Sequence, residues 1–169
     1  MTFGIMLIPD YKRALKGIFR VLRQNGYVAI TVWKTQGHWD YLSRAARIVL
    51  EDDSYPPPQF FHKKWLSGEF VAKLLLQIGF RYDFVVRVLM RNVKVHEQMH
   101  MWKWGSKEAF VQFVGRNPAP SIQAYMESWT SQQKEDICVM IHKLLDLDFP
   151  QSDTFRVPMV ANIVVGRKK

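Results

Sequence analysis

Cysteine is almost missing from this chain. Cys138 stands alone, which excludes an internal disulfide and a cysteine-built zinc site. A lone thiol suits a reducing, cytoplasmic setting. Long apolar runs are missing too, and no stretch approaches the roughly 18 apolar residues of a membrane span. Met1 to Asp10 carries no positive segment ahead of its apolar run, so it makes a poor signal peptide. The nine glycines, at 4, 17, 26, 37, 68, 79, 105, 115 and 166, never fall close enough for a G-x-G turn. That absence removes the backbone loop that commonly cradles a nucleotide. Acid is scarce as well: 15 acidic residues against 24 basic ones leave a net charge of +9. Such a charge attracts polyanions. The bases are scattered, however, over Lys12, Arg13, Lys16, Arg20 and Arg23, over Arg81, Arg87 and Arg91, and over Arg167, Lys168 and Lys169. No nucleic-acid signature accompanies them. They read as solvated faces, with neither a specific nucleic acid nor a membrane as partner.

Aromatic residues are abundant. Six Trp, six Tyr and eleven Phe give 14% in a chain that is 48% apolar and 169 residues long. That length suits one domain with a core of its own. The surplus of flat side chains points to a ligand pocket or a partner surface.

Periodicity supplies the elements. Tyr11, Ala14, Leu15, Ile18, Phe19 and Leu22 form one helical stripe over 10–23, with Asp10 as N-cap and Asn25-Gly26 as a left-handed stop. Tyr27 to Trp33 is an almost continuous apolar run, expected as a strand covered on both faces. A helix is expected over 38–52, followed by a loop holding Pro56-Pro57-Pro58. Phe70, Val71, Leu74, Leu75 and Ile78 mark a helix over 67–78 that Gly79 ends. Alternation of Tyr82, Phe84, Val86, Val88 and Met90 predicts a strand over 82–91. Helices are expected near 107–115, 121–129 and 132–147, and a last strand over 155–165, irregular or on an edge at Pro158. The class is therefore α/β with helical excess. Phe3 to Ile8 reads as a strand or strand exit with no earlier element to pair with.

Several stretches resemble class I S-adenosylmethionine-dependent methyltransferases. Phe3-Gly4-Ile5-Met6-Leu7-Ile8-Pro9-Asp10, Ala14-Leu15 and Arg20-Val21-Leu22-Arg23-Gln24-Asn25-Gly26 leading to Trp33 are similar to the family's fourth-strand exit, following helix and fifth strand. Gln24-Asn25 stands where a lysine-proline is usual. Leu75-Ile78-Gly79-Phe80 resembles the approach to the sixth strand, and Pro158 to Lys168 the last, antiparallel strand. The tryptophan-rich inserts most resemble small-molecule methyltransferases of fungal secondary metabolism. The resemblance covers nearly the whole chain but only the C-terminal part of the family's domain. It implies an incomplete Rossmann-like sheet, the last strands of seven, with helical lid inserts. The expected parts are 1–35 (strand exit, helix and buried strand), 36–80 (helical insert) and 81–169 (final strands and lid helices).

The resemblance also implies a site. Phe3, Gly4 and Ile5 would lie beside the methionine part of S-adenosylmethionine. Trp33, His38, Trp39, Tyr55 and Trp65, with Trp102 and Trp104, would line the substrate side. No residue is carried over as catalytic, because methyl transfer can run on proximity and alignment. Most of the donor site is expected to lie outside these residues.

Competing motifs are present. His96-Glu97-Gln98-Met99-His100 is a formal H-E-x-x-H, which on a helix would set two imidazoles over a zinc ion. Lys103 and Ser106 stand where a longer zinc motif has glycine and histidine. Cys138 sits in an apolar stripe and reads as an inert buried thiol. Met99, Met101, Trp102, Trp104, Phe110 and Phe113 could line an apolar pocket, an interface or the core. Three functions follow: a methyltransferase-like protein acting on a small molecule, a non-catalytic binding subunit or pseudoenzyme derived from one, and a zinc hydrolase. An uncovered sheet edge near residues 3–8 predicts a second chain or self-association.

Overall fold

Asp10 starts the first helix as expected: its side chain accepts from the Arg13 amide at 2.9 Å, and α1 runs Tyr11–Val21. The computed structural model describes residues 1–59, 61–81, 96–118 and 120–168. The end of α1 differs from the Asn-Gly stop read from the sequence. Leu22 is already extended, and Asn25 takes its positive φ of 65° in the turn beyond. The last carbonyls of the helix meet a cation instead. The Lys168 ammonium donates to Leu22 at 2.8 Å and to Arg20 at 3.3 Å, the arrangement that the negative end of a helix favours.

β1 spans Tyr27–Gln36. Its burial alternates: Val28, Ile30 and Val32 are buried, whereas Tyr27 and Ala29 are exposed. The expectation of two covered faces is thus corrected. One face of β1 meets the core, as in a one-sided sheet. Residues 1–3 pair with β1 rather than standing alone. Thr2 and Thr31 form a parallel bridge, and the Phe3 amide donates to the Thr31 carbonyl at 3.1 Å. A parallel pairing with α1 as its crossover is the elementary α/β connection. Ile5–Leu7 is a short 3₁₀ turn, not a strand.

α2 follows as Gly37–Leu50, and the proline loop stays irregular. α3 is Gly68–Ile78, capped by the Ser67 hydroxyl and ended by Gly79 at φ +109°. The strand expected over 82–91 lies outside the described residues. β2 is His96–Trp104. Lys107–Val111 is α4, continued by a π turn over Gln112–Arg116. α5 is Pro120–Tyr125, and α6 is Ser131–Asp148 with a Thr130–Gln133 capping box. β3 is Phe155–Arg167. The three strands form an antiparallel sheet in the order β1-β3-β2.

The expectation at Pro158 is an irregular start or an edge, yet β3 is the central strand and continues through Pro158. Gly37 supplies the reason. A Cβ on Gly37 would stand 2.6 Å from the Pro158 carbonyl oxygen and 3.2 Å from its nitrogen. The neighbour of Pro158 on that side is the first residue of α2, so β1 asks it for no amide proton.

Two compact units emerge. The first holds residues 1–35, 61–99 and 160–169, and the second 36–60 and 100–159. Ile5, Leu15, Ile30, Val32, Leu75 and Phe80 centre the first core. Leu42, Ala45, Phe110, Ile137, Ile141 and Leu145 centre the second. In the second unit the buried Lys107 ammonium donates to Asp146 at 2.7 Å and to the Phe149 carbonyl at 2.8 Å. Its charge is thereby paired and hydrogen-bonded, as a buried charge requires. Among the described residues, no helix is long and apolar enough to cross a membrane.

The close approach at Gly37 makes a test. Gly37→Ala is expected to lower stability by roughly 1–3 kcal/mol, since backbone must shift to admit the methyl group. Gly17→Ala, in α1 with nothing within 4 Å of the added carbon, is expected to raise it by up to about 1 kcal/mol. Urea denaturation of both variants reads the contrast.

Candidate functional site

The turn from β1 into α2 places His38 as the second residue of the helix. Gln36 caps nothing with its side chain; its Oε1 accepts instead from Trp39 Nε1 at 2.7 Å. His38 is only 2% exposed. Its ring centroid lies 4.0 Å from that of Trp39, 5.7 Å from Trp102 and 5.8 Å from Phe113. Trp104 borders the same two rings, 5.5 Å from Trp102 and 5.2 Å from Phe113, and meets Phe110 edge-on at 5.0 Å. Every one of these residues belongs to the second unit.

Two buried polar atoms in this cluster lack a hydrogen-bond partner: His38 Nδ1 and Trp104 Nε1. Leaving such a group unpaired costs about 1–3 kcal/mol, so two sharing the same ring neighbours call for an explanation. Burial holds the His38 imidazole at a pKa of about 4, neutral at physiological pH. Trp102 and Phe113 are 40% and 37% exposed, so the cluster has an apolar rim over a neutral polar centre. Chemically, it can offer an acceptor, a donor and flat apolar surface, and it carries no charge.

Tyr55 sits in a separate aromatic group of the same unit. Its hydroxyl accepts from Trp129 Nε1 at 2.8 Å, and Tyr125 donates to the Pro56 carbonyl at 2.7 Å. Burial raises the Tyr125 hydroxyl well above the usual tyrosine range. These partners are satisfied, and they fasten the proline loop to the end of α5 and to Trp129 beyond it. Tyr125 and Trp129 were not singled out in the sequence, where nothing distinguishes them from core aromatics.

The other expected residues lie in the first unit. Trp33 stacks on Phe3 with centroids 3.8 Å apart and planes 10° from parallel, and Phe3 holds a positive φ of 50°. Trp65 is 3% exposed and meets Tyr11 and Phe70 edge-on. Ile5 is wholly buried. Gly4 is partly exposed, with its nearest non-neighbouring atoms 3.8 Å from an added Cβ. Of the three residues expected beside the methionine part of S-adenosylmethionine, the Phe3 ring is stacked on Trp33, the Ile5 side chain is in the core, and Gly4 offers backbone alone.

The H-E-x-x-H stretch is corrected. It lies in β2, not on a helix, and His96 to Lys103 are exposed. A strand advances about 3.3 Å per residue, which separates residues four apart by roughly 13 Å, too far to share one ion. Among the described residues no three metal-ligating side chains gather. Cys138 is buried, and its thiol is pushed up to about 11 by that burial, the inert state expected. No family model matches the chain, and no curated protein matches it either.

His38 generates a pH prediction. An unfolded histidine binds a proton below about 6.5, whereas the folded one stays neutral until about 4. Stability from this residue is full above pH 6.5 and is lost as the pH falls towards 4, by about 3 kcal/mol in all. Asp146 and Asp148 are held below the usual carboxylate range by their bonds to Lys107 and Tyr41, so they act at lower pH. His38→Phe should flatten the stability profile between pH 6.5 and 4. Histidine NMR titration should give a midpoint near 4.

Proposed function

We propose that this chain is the acceptor-facing portion of a methyltransferase, one that moves a methyl group from S-adenosylmethionine to a small molecule of secondary metabolism. The observation that carries the reading is the pairing of residues 1–3. A strand exit, a helix and a strand joined by the parallel Thr2–Thr31 bridge are the arrangement that the resemblance implies for the fourth and fifth strands. The antiparallel β3 at the chain's end adds to it. The finer expectation, the last strands of a seven-stranded Rossmann-like sheet, belongs to this proposal.

S-adenosylmethionine would supply an electrophilic methyl group on a sulfonium. The residues of this chain would hold and orient the acceptor, and alignment alone can account for much of such a rate. The aromatic cluster around His38 suits that task, since ligand sites are mostly apolar with a few placed polar groups. None of the nine glycines forms a G-x-G turn, so the donor-cradling turn is assigned to sequence outside these 169 residues. That same absence favours a second reading, a binding subunit or pseudoenzyme that holds the acceptor without transferring a methyl group. The proposal includes a partner: a second chain, or a second copy, covering the open side of the N-terminal segment in a cytoplasmic setting.

Calorimetry is expected to give the chain alone no affinity for S-adenosylmethionine tighter than about 1 mM; micromolar binding would overturn the assigned division. An in-frame G-x-G turn encoded upstream of the Met1 codon, and labelled methyl transfer by the joined polypeptide, would support the enzyme. Donor binding without transfer to any small-molecule acceptor would favour the pseudoenzyme. Light scattering should give the isolated chain a mass above 19.9 kDa, and a sharp monomeric peak with cooperative melting would oppose the partner.

A further inference from the structure

We propose that His38, Trp102, Trp104 and Phe113 form a binding site for a flat, uncharged aromatic ligand that carries a hydroxyl group. The hydroxyl donates to His38 Nδ1 and accepts from Trp104 Nε1. The inference concerns binding alone and stands without the methyl-transfer reading.

Four observations combine. Both nitrogens are buried and unpartnered. Both rings border the same two aromatics, Trp102 and Phe113, with centroids 5.2–5.8 Å apart, which makes them members of one aromatic cluster. Their chemistry is complementary. An indole N–H only donates, while a neutral imidazole protonated at Nε2 accepts at Nδ1. A phenolic or enolic hydroxyl has one proton to give and lone pairs to receive, so one group answers both. A carboxylate could take the indole proton but would leave the imidazole lone pair facing negative charge. An ammonium could use the imidazole but would leave the indole unmet. The hydroxyl is the simplest match, and the surrounding rings supply stacking surface for the flat body that bears it.

The two nitrogens are closed to solvent, so the ligand must displace something to reach them. Trp102 and Phe113 are the exposed rings of the cluster. Exposed side chains change rotamer within nanoseconds, so the proposal has one of these rings move to admit the ligand, giving up part of its packing on His38 and Trp104. Phe113 lies in the π turn Gln112–Arg116. Such irregular turns are frequent at functional sites.

Calorimetry with 2-naphthol and 2-methylnaphthalene tests the proposal, because the pair differs in a hydroxyl against a methyl of similar size. With donor nucleotide absent, failure of this test is separate from failure of the methyl-transfer reading. The wild-type protein is expected to bind 2-naphthol saturably and at least tenfold more tightly than 2-methylnaphthalene. The His38 Nδ1 resonance of ¹⁵N-labelled protein should shift with the first and hold still with the second. His38→Phe and, separately, Trp104→Phe should cut the discrimination to about twofold or less while 2-methylnaphthalene still binds. If either variant fails to fold, the wild-type ratio and the nitrogen shift decide. Equal affinity for the two probes, no saturable 2-naphthol binding, an unmoved nitrogen resonance, or undiminished discrimination in both folded variants would each overturn the site.

Discussion

The approach of Gly37 to Pro158 governs much of what the second unit can do. A strand that ran on beside Pro158 would seek an amide proton that proline lacks. A side chain larger than hydrogen at position 37 would press on the proline carbonyl. The chain resolves both constraints by ending β1 at Gln36 and turning directly into α2. His38 is buried as a consequence of where that turn falls. Two residues earlier it would be strand, and further along α2 it would sit elsewhere on the helix surface. The unpaired imidazole thus follows from a backbone contact, not from any polar partner that draws the histidine inward.

The burial of His38 sets the electrostatic character of the cluster. A charged imidazole would need a carboxylate or strong solvation, and among the described residues the neighbours at ring distance are Trp39, Trp102 and Phe113. Desolvation therefore selects the neutral form. The same unit handles its charges differently elsewhere: Lys107 reaches Asp146 and a carbonyl, and Asp148 takes the Tyr41 hydroxyl and the Arg44 guanidinium. Buried or half-buried polar groups are paired in those places and left open in the aromatic cluster.

Much of the helical layout was legible in the sequence, because stripes such as Leu74-Leu75-Ile78 and caps such as Asp10 act locally. The strands were less so. Tyr27 to Trp33 looked covered on both faces since all its residues tolerate burial, and only the tertiary setting decides which of them are buried. His96 to His100 matched a helical metal motif, yet the bare pattern carries no information on whether the segment is extended. Pro158 looked like a mark of an irregular start or an edge because the substitute neighbour, Gly37, lies far away in sequence. The site residues were visible as a surplus of tryptophan. Their division between two units was not, nor was the pairing of His38 with Trp104 through shared neighbours, because ring contacts across long separations leave no local pattern.

The two halves of the expected site also differ in what they can still accept. Around Phe3, the ring is stacked on Trp33 and Ile5 is packed in the core, so the side chains have spent their contact surface within the protein. Around His38, two nitrogens and two exposed aromatic rings retain theirs. A surface whose groups are already satisfied gains little from a ligand, whereas one with buried, unmet polar atoms recovers their desolvation cost on binding. The asymmetry sets the unmet polar atoms of His38, at the start of α2, and Trp104, in β2, apart from the satisfied groups around Phe3.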